Sequence, residues 1–213
     1  MHHAPPPNHP AHPGNMEQIR RSLRHPPAKL SVDTSRKQAA VALILLPAAT
    51  GTEVLFIERA RHPQDPWSGN LAFPGGRIDP MDANSRQAAE RETREEIGLD
   101  LTNQEYLGQL DDIAGDYLPV RVSCFVYALR TSAPPIFQLN HEVEDLFFFP
   151  LAELANPRRH METDIHWNDK SRRISAIDLL GPDRPLLWGI TYRLIRQFLR
   201  RIRLEVTAAP ENH

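Results

Sequence analysis

Residues 75–99 read GGRIDPMDANSRQAAERETREEIGL, and within them Glu92, Glu95 and Glu96 stand at i, i+3 and i+4. The spacing predicts a helix over 84–97, ending at Gly98, where a left-handed cap is expected. In a helix those positions put all three carboxylates on one face, where like charges repel by roughly 0.2–0.5 kcal/mol per pair. One answer to the repulsion is a solvated surface helix with Arg91 and Arg94 interleaved. The other is a hard divalent cation, because Mg²⁺ takes one or two carboxylates together with substrate phosphate oxygens. The Phe73-Pro74-Gly75-Gly76 turn directly ahead of the helix favours the second, since glycine lets backbone carbonyls or amides approach a metal or phosphate closely.

Working outward, AAVALILLP from Ala39 is a continuous aliphatic run, and VLFIER at 54–59 follows a turn centred on Gly51, so the pair reads as two adjacent strands. Further strands are expected at 106–110, 120–129, 143–150 and 172–180, the last after a polar loop, with a short helix at 150–157. Met16, Ile19 and Leu23 recur at helical spacing after Asn15, a plausible cap, and Pro26-Pro27 ends that helix. At the other end Leu187, Trp188, Thr191, Leu194, Ile195, Phe198 and Ile202 form the apolar face of a long helix whose arginines, among them Arg193, Arg196, Arg200, Arg201 and Arg203, read as a solvated face. About six strands and three helices in mixed order predict an α+β fold, an α/β/α sandwich. The organisation is a His/Pro-rich tail at 1–14, expected to be disordered, a short helix and linker at 15–36, one domain at 37–204 and a short tail at 205–213.

Composition narrows the function. Lys and Arg number 25 against 27 Asp and Glu, for a formal charge of -2, so the basic excess of a general nucleic-acid binder is absent. One cysteine, Cys124, can form neither an internal disulfide nor a Cys-based zinc site. The longest apolar run falls well short of the roughly 20 residues that cross a bilayer, and no secretory signal precedes it. A soluble, cytoplasmic protein with no membrane or nucleic-acid partner is expected. The sequence sets no oligomeric state. The four histidines of the tail lack a scaffold and predict at most adventitious metal binding. Deleting the tail is expected to leave turnover unchanged.

The segment Arg91-Glu92-Thr93-Arg94-Glu95-Glu96-Ile97-Gly98-Leu99 resembles the box of the Nudix hydrolases, G-x5-E-x7-R-E-U-x-E-E-x-G-U with U aliphatic. Thr93 stands at an aliphatic position, Asp82 stands six after Gly76 where a Glu is usual, and Gly76 to Arg91 is one residue longer than the box. A similar expansion with a sequence like Asp79-Pro80-Met81-Asp82 is familiar in the coenzyme A diphosphatase branch. Upstream, Leu55-Phe56-Ile57-Glu58-Arg59 with Gly69-x3-Phe73-Pro74-Gly75-Gly76 is similar to that branch's signature, although Pro63-Gln64-Asp65 occupies the neighbourhood of its basic residue. Downstream, Leu187-Trp188-Gly189-Ile190-Thr191 is similar to its LWGxT stretch.

The resemblance implies a Nudix fold, a mixed sheet flanked by helices, and water attack on a diphosphate assisted by Mg²⁺ or Mn²⁺. It implies that Glu92 and Glu96 ligate the metal, that Glu95 either ligates or takes the water's proton, and that the main-chain carbonyl of Gly75 is a further ligand. Arg91 orients the glutamates by salt bridge. Glu142 is a candidate base from outside the box, and Arg59 and Arg77 are candidate phosphate contacts. Trp67 and Phe73 are candidates to line a pocket for a base or pantetheine chain. The substrate expected first is coenzyme A or an acyl derivative. Nucleoside triphosphates and a non-catalytic ligand-binding domain are the alternatives.

Overall fold

The computed structural model describes residues 15–31, 35–62, 68–115, 119–167 and 170–204. The elements run α1 (Met16–Arg24), β1 (Lys37–Ala48), β2 (Gly51–Arg59), β3 (Leu71–Ala72), β4 (Gly75–Arg77), α2 (Ser85–Ile97), β5 (Glu105–Gln109), β6 (Ile113–Ala114), β7 (Val120–Ala128), β8 (Val143–Pro150), α3 (Leu151–Leu154), β9 (His160–Trp167), β10 (Lys170–Ile177), β11 (Leu187–Trp188) and α4 (Gly189–Arg201). The terminal tails, the Pro63–Asp65 stretch and Trp67 lie outside the described residues.

The aliphatic run that marks β1 is the centre of the molecule. β1 pairs in parallel with β7, Ala39 opposite Val122 and Leu45 opposite Ala128, and antiparallel with β2 and β4. The result is a mixed eight-stranded sheet of order β3-β2-β1-β7-β5, to which β4 adds against β1, β6 against β7 and β8 against β2. Because successive side chains of a strand face opposite ways, β1 feeds two cores. Ala40, Ala42, Ile44 and Leu46 pack with Ala88, Ala89 and Ile97 of α2 on one face. Leu43 and Leu45 pack with Leu194, Ile195 and Phe198 of α4 on the other. This is the α/β/α layering expected of an α+β chain.

α1, expected as a short helix ahead of the domain, docks on the α4 side. Asn15 caps it through Oδ1, which accepts from Gln18 N at 2.8 Å, and Ile19 and Leu23 enter the core at 0 % and 4 % exposure. Arg20 grips Glu105 through two hydrogen bonds of 2.8 Å, and Arg201 of α4 donates to the Ser22 carbonyl. Arg201 is thus a structural contact and not part of a solvated face; its side chain is 14 % exposed.

Several elements differ from expectation. The polar loop before 172 is strand β9, antiparallel to β10 from His160 opposite Ile177 to Trp167 opposite Lys170. Leu187 and Trp188 are strand and not helix: Trp188 is extended and Gly189, at φ 66, turns the chain into α4. The glycines before the catalytic-looking helix form β4 and not a turn abutting it, and α2 begins only at Ser85.

Candidate active site

α2 is built as its sequence indicates. The Asn84 side chain accepts from Gln87 N, and Gly98 closes the helix at φ 72 with its N–H on the Arg94 carbonyl. Thr93 tolerates its buried aliphatic position because its hydroxyl donates to the Ala89 carbonyl at 2.7 Å. A polar anchor ties the helix to the sheet: the buried Tyr127 of β7 donates from its hydroxyl to Glu90 at 2.6 Å and accepts from Arg86 Nε at 2.9 Å. The carboxylate face of α2 thereby looks toward β4.

The three glutamates meet different surroundings. Glu96 is 2 % exposed, accepts the Gly75 N–H at 2.8 Å and lies 3.8 Å from Arg59 Nη1. Burial pushes its carboxyl up to about 8, against the pull of Gly75 and Arg59 and with the repulsion of Glu92 and Glu142. Burial likewise raises Glu92, with Arg91 opposing and Glu95 and Glu142 reinforcing. Glu95 is half exposed, at 52 %, and turned to Arg91 Nη1 at 3.1 Å.

Arg91 organises this face. Its Nη1 bridges Glu92 and Glu95 at 3.0 and 3.1 Å, and its Nη2 also donates to the Arg77 carbonyl. The other side of the guanidinium forks onto Asp82, Nε to Oδ1 and Nη2 to Oδ2, both at 3.0 Å. Arg91 in turn holds the Asp82 carboxyl below the usual carboxylate range. Asp82, visible in the sequence only as a substitution in an expanded loop, is the clamp that orients Arg91. Its position nine residues before Arg91, across a loop, obeys no helical spacing that could have marked it.

Gly75 and Gly76 complete the floor. β4 sets Gly75 opposite Val41 and Gly76 opposite Ala40, and a side chain at Gly76 would fall 2.5–2.7 Å from the Glu92 carboxylate. On the far side, the 138–142 segment is pinned to the end of α2 by Gln138 N on the Ile97 carbonyl and Asn140 N on the Glu96 carbonyl. That brings Glu142 within electrostatic reach of Glu92 and Glu96.

A cleft of about 770 Å³ opens beside this floor, lined by Arg59, Gly75, Gly76, Arg77 and Glu142, and also by Lys37, Arg61, His141 and Trp188–Thr191. Phe73 borders it but belongs to the core: it is 3 % exposed and stacks on Phe56 with ring centroids 5.2 Å apart. Lys37, Arg61 and His141 were not singled out from the sequence, because only the parallel β1–β7 pairing and the loop packing bring them here.

Among the described residues, no three His, Cys, Asp or Glu side chains converge closely enough to hold a metal ion. Arg91 draws Glu95 and one oxygen of Glu92 aside. The donor set nonetheless suits a hard cation: Glu96 is buried and Glu92 partly buried, desolvation raises both carboxyls, and both lie beside close-approaching glycine backbone. A pH dependence follows. The folded chain keeps on Glu96 a proton that the unfolded chain, titrating near 4.5, releases. Without cation, stability is therefore expected to fall as pH rises from about 4.5 through about 8, by a few kcal/mol in all. Thermal melts of chelator-treated protein at several pH values check this; Glu96→Gln is expected to flatten the slope, and a rising melting temperature over that range would contradict it.

Comparison with known proteins gives a consistent picture. A family model for the NUDIX domain matches residues 36–170. The chain is 29% identical over 170 residues to a probable nudix hydrolase of Schizosaccharomyces pombe, covering 77% of this chain and 55% of that protein. It is 28% identical over 166 residues to the uncharacterized Nudix hydrolase NudL of Yersinia pestis, covering 76% and 79%. A second Schizosaccharomyces pombe protein is matched over 40% of its length, so the chain spans about half of each of these two fission-yeast relatives. A MutT/nudix family protein from Enterococcus faecalis shares the fold, with a TM-score of 0.55 at 18% identity over 86% of this chain and 68% of that one. Nudix hydrolases generally use divalent metal ions, in keeping with the carboxylates of α2 beside the cleft. Since the family match takes in well over half of the sequence, from β1 through the carboxylate helix to β9, this chain belongs to the Nudix family.

Proposed function

We propose that the chain is a divalent-cation-dependent hydrolase of a diphosphate linkage, acting on coenzyme A or acyl-coenzyme A to give 3′,5′-ADP and (acyl-)4′-phosphopantetheine. The observation that carries the hydrolase reading is a pair of desolvated carboxylates, buried Glu96 and partly buried Glu92, beneath a cleft lined by Arg59, Arg61, Arg77 and Lys37. Carboxylates below and cations around are what a phosphoanhydride and its attacking water require.

Glu92, Glu96 and the Gly75 carbonyl would hold Mg²⁺ or Mn²⁺, which when bound neutralises phosphate charge and lowers the pKa of water. Glu95 either joins as a ligand or takes the proton. Glu142, on the opposite wall, is the other group placed to take it. Arg91 keeps Glu92 in place, itself held by Asp82. Arg77 and Arg59 contact the phosphates, Arg59 from its position beside Glu96.

Coenzyme A as the substrate is supported by convergence. The stretches that resemble the coenzyme A diphosphatases lie apart in sequence, yet Arg59, Phe73, Gly75, Gly76 and Trp188–Thr191 border one cleft. The test is release of 3′,5′-ADP from coenzyme A at saturating Mg²⁺ or Mn²⁺, beside nucleoside triphosphates, dinucleoside polyphosphates and sugar nucleotides. Preferential cleavage of coenzyme A is expected. Cleavage only of other members of the panel would overturn the substrate and keep the chemistry; no cleavage would favour a ligand-binding domain.

A further inference from the structure

His141 and Glu142 both line the cleft, and the turn that carries them is fixed on each side. Asn140 N donates to the Glu96 carbonyl at 2.9 Å, Asn140 Oδ1 accepts from Glu142 N at 2.8 Å, and the Glu142 carbonyl accepts from Ala60 N at 2.8 Å. The backbone of the pair is thereby locked to the end of α2 and to the end of β2, the two elements that bring in Glu96 and Arg59. Side chains on such a turn meet a ligand with little ordering left to do. The His141 imidazole makes no hydrogen bond, ion pair or ring contact with a described residue. Arg91 is spread over Asp82, Glu92 and Glu95, and Arg59, beside Glu96, and Arg77 are the cations assigned to the phosphates.

Cutting a phosphoanhydride changes charge at two places. Water forms a new P–O bond and gives up a proton, for which Glu142 and Glu95 are the candidate acceptors. The bridging P–O bond breaks, and its electron pair goes to the oxygen of the departing phosphate. That oxygen needs a donor, which an ionised carboxylate cannot be. We infer that His141 donates an N–H hydrogen bond to the leaving phosphate and is a catalytic residue of this site. The imidazole keeps its proton throughout, so the released phosphate carries the charge and the water's proton goes to the carboxylate. This role rests on the hydrolase reading above.

The experiment compares wild type, His141→Ala and His141→Asn on adenosine diphosphate esters whose leaving phosphates differ in basicity. Since His141 is exposed, the variants are expected to melt with the wild type. His141→Ala is expected to lower kcat by about 10²-fold with little change in KM. The deficit should grow with leaving-group basicity, and His141→Asn, which restores an N–H donor, should recover part of it. A kcat within about twofold of wild type, a loss confined to KM, or an equal loss for every leaving group would each overturn the role. Failure of the wild type to cut any ester would overturn the hydrolase reading itself, and His141's part with it.

Discussion

Glu96→Gln is expected to lower diphosphate hydrolysis on the order of 10³-fold while leaving the fold intact. The two halves of this expectation share one cause. Glu96 is buried and its carboxyl is raised to about 8, so in the cation-free protein near neutral pH it is largely protonated. A glutamine copies that neutral form in shape and still offers an oxygen to the Gly75 N–H. What it cannot copy is the anion, which a divalent cation requires. Circular dichroism melts without cation should match at pH 7, and Mg²⁺ should raise the melting temperature of the wild type alone. Near-normal turnover in the variant would refute the ligand role of Glu96.

The adjacent glycines should separate stability from activity. A side chain at Gly75 would lie 2.3 Å from the Ala40 carbonyl oxygen and 2.5 Å from Val41 Cα, at a residue whose φ is 145. Both obstacles are backbone of the central strand, so Gly75→Ala is expected to cost about 4 kcal/mol or more, a fall of roughly 10 °C in melting temperature. At Gly76 the obstacle is instead the flexible end of the Glu92 side chain, and φ lies outside the left-handed region. Gly76→Ala is expected to keep the melting temperature within a few degrees and to lose about 10²-fold in turnover by displacing Glu92. Equal melting temperatures for the two variants would contradict the assignment of β4 as a strand pressed on β1.

What the sequence reveals here follows the range of the forces. α2 was legible in full because its signals are local: glutamate spacing and a glycine that ends the helix at φ 72. β1 and β2 were legible because they are long and aliphatic and lie in the core. β9 was not, since HMETDIHW is a polar edge strand held by β10 and by pairs such as Arg173 with Asp164 at 3.5 Å. β3, β6 and β11 are two residues each, too short for any periodicity. In the site, the glutamates of one helix could be placed together by counting. Asp82 on Arg91, Glu142 within electrostatic reach of Glu96 and the burial of Phe73 against Phe56 arise only from packing between separate segments of the chain.

Glu92 and Glu96 with the Gly75 backbone are proposed to form a divalent-cation site that drives phosphoanhydride cleavage. The most direct test is turnover by the chelator-stripped protein, on coenzyme A and on the best substrate of the panel, as Mn²⁺ or Mg²⁺ is titrated back. Turnover is expected to be absent without cation, to saturate as cation is added, and to need more cation at pH 6 than at pH 8, because the proton on Glu96 competes with the metal. Hydrolysis that proceeds at full rate in the stripped protein would contradict it.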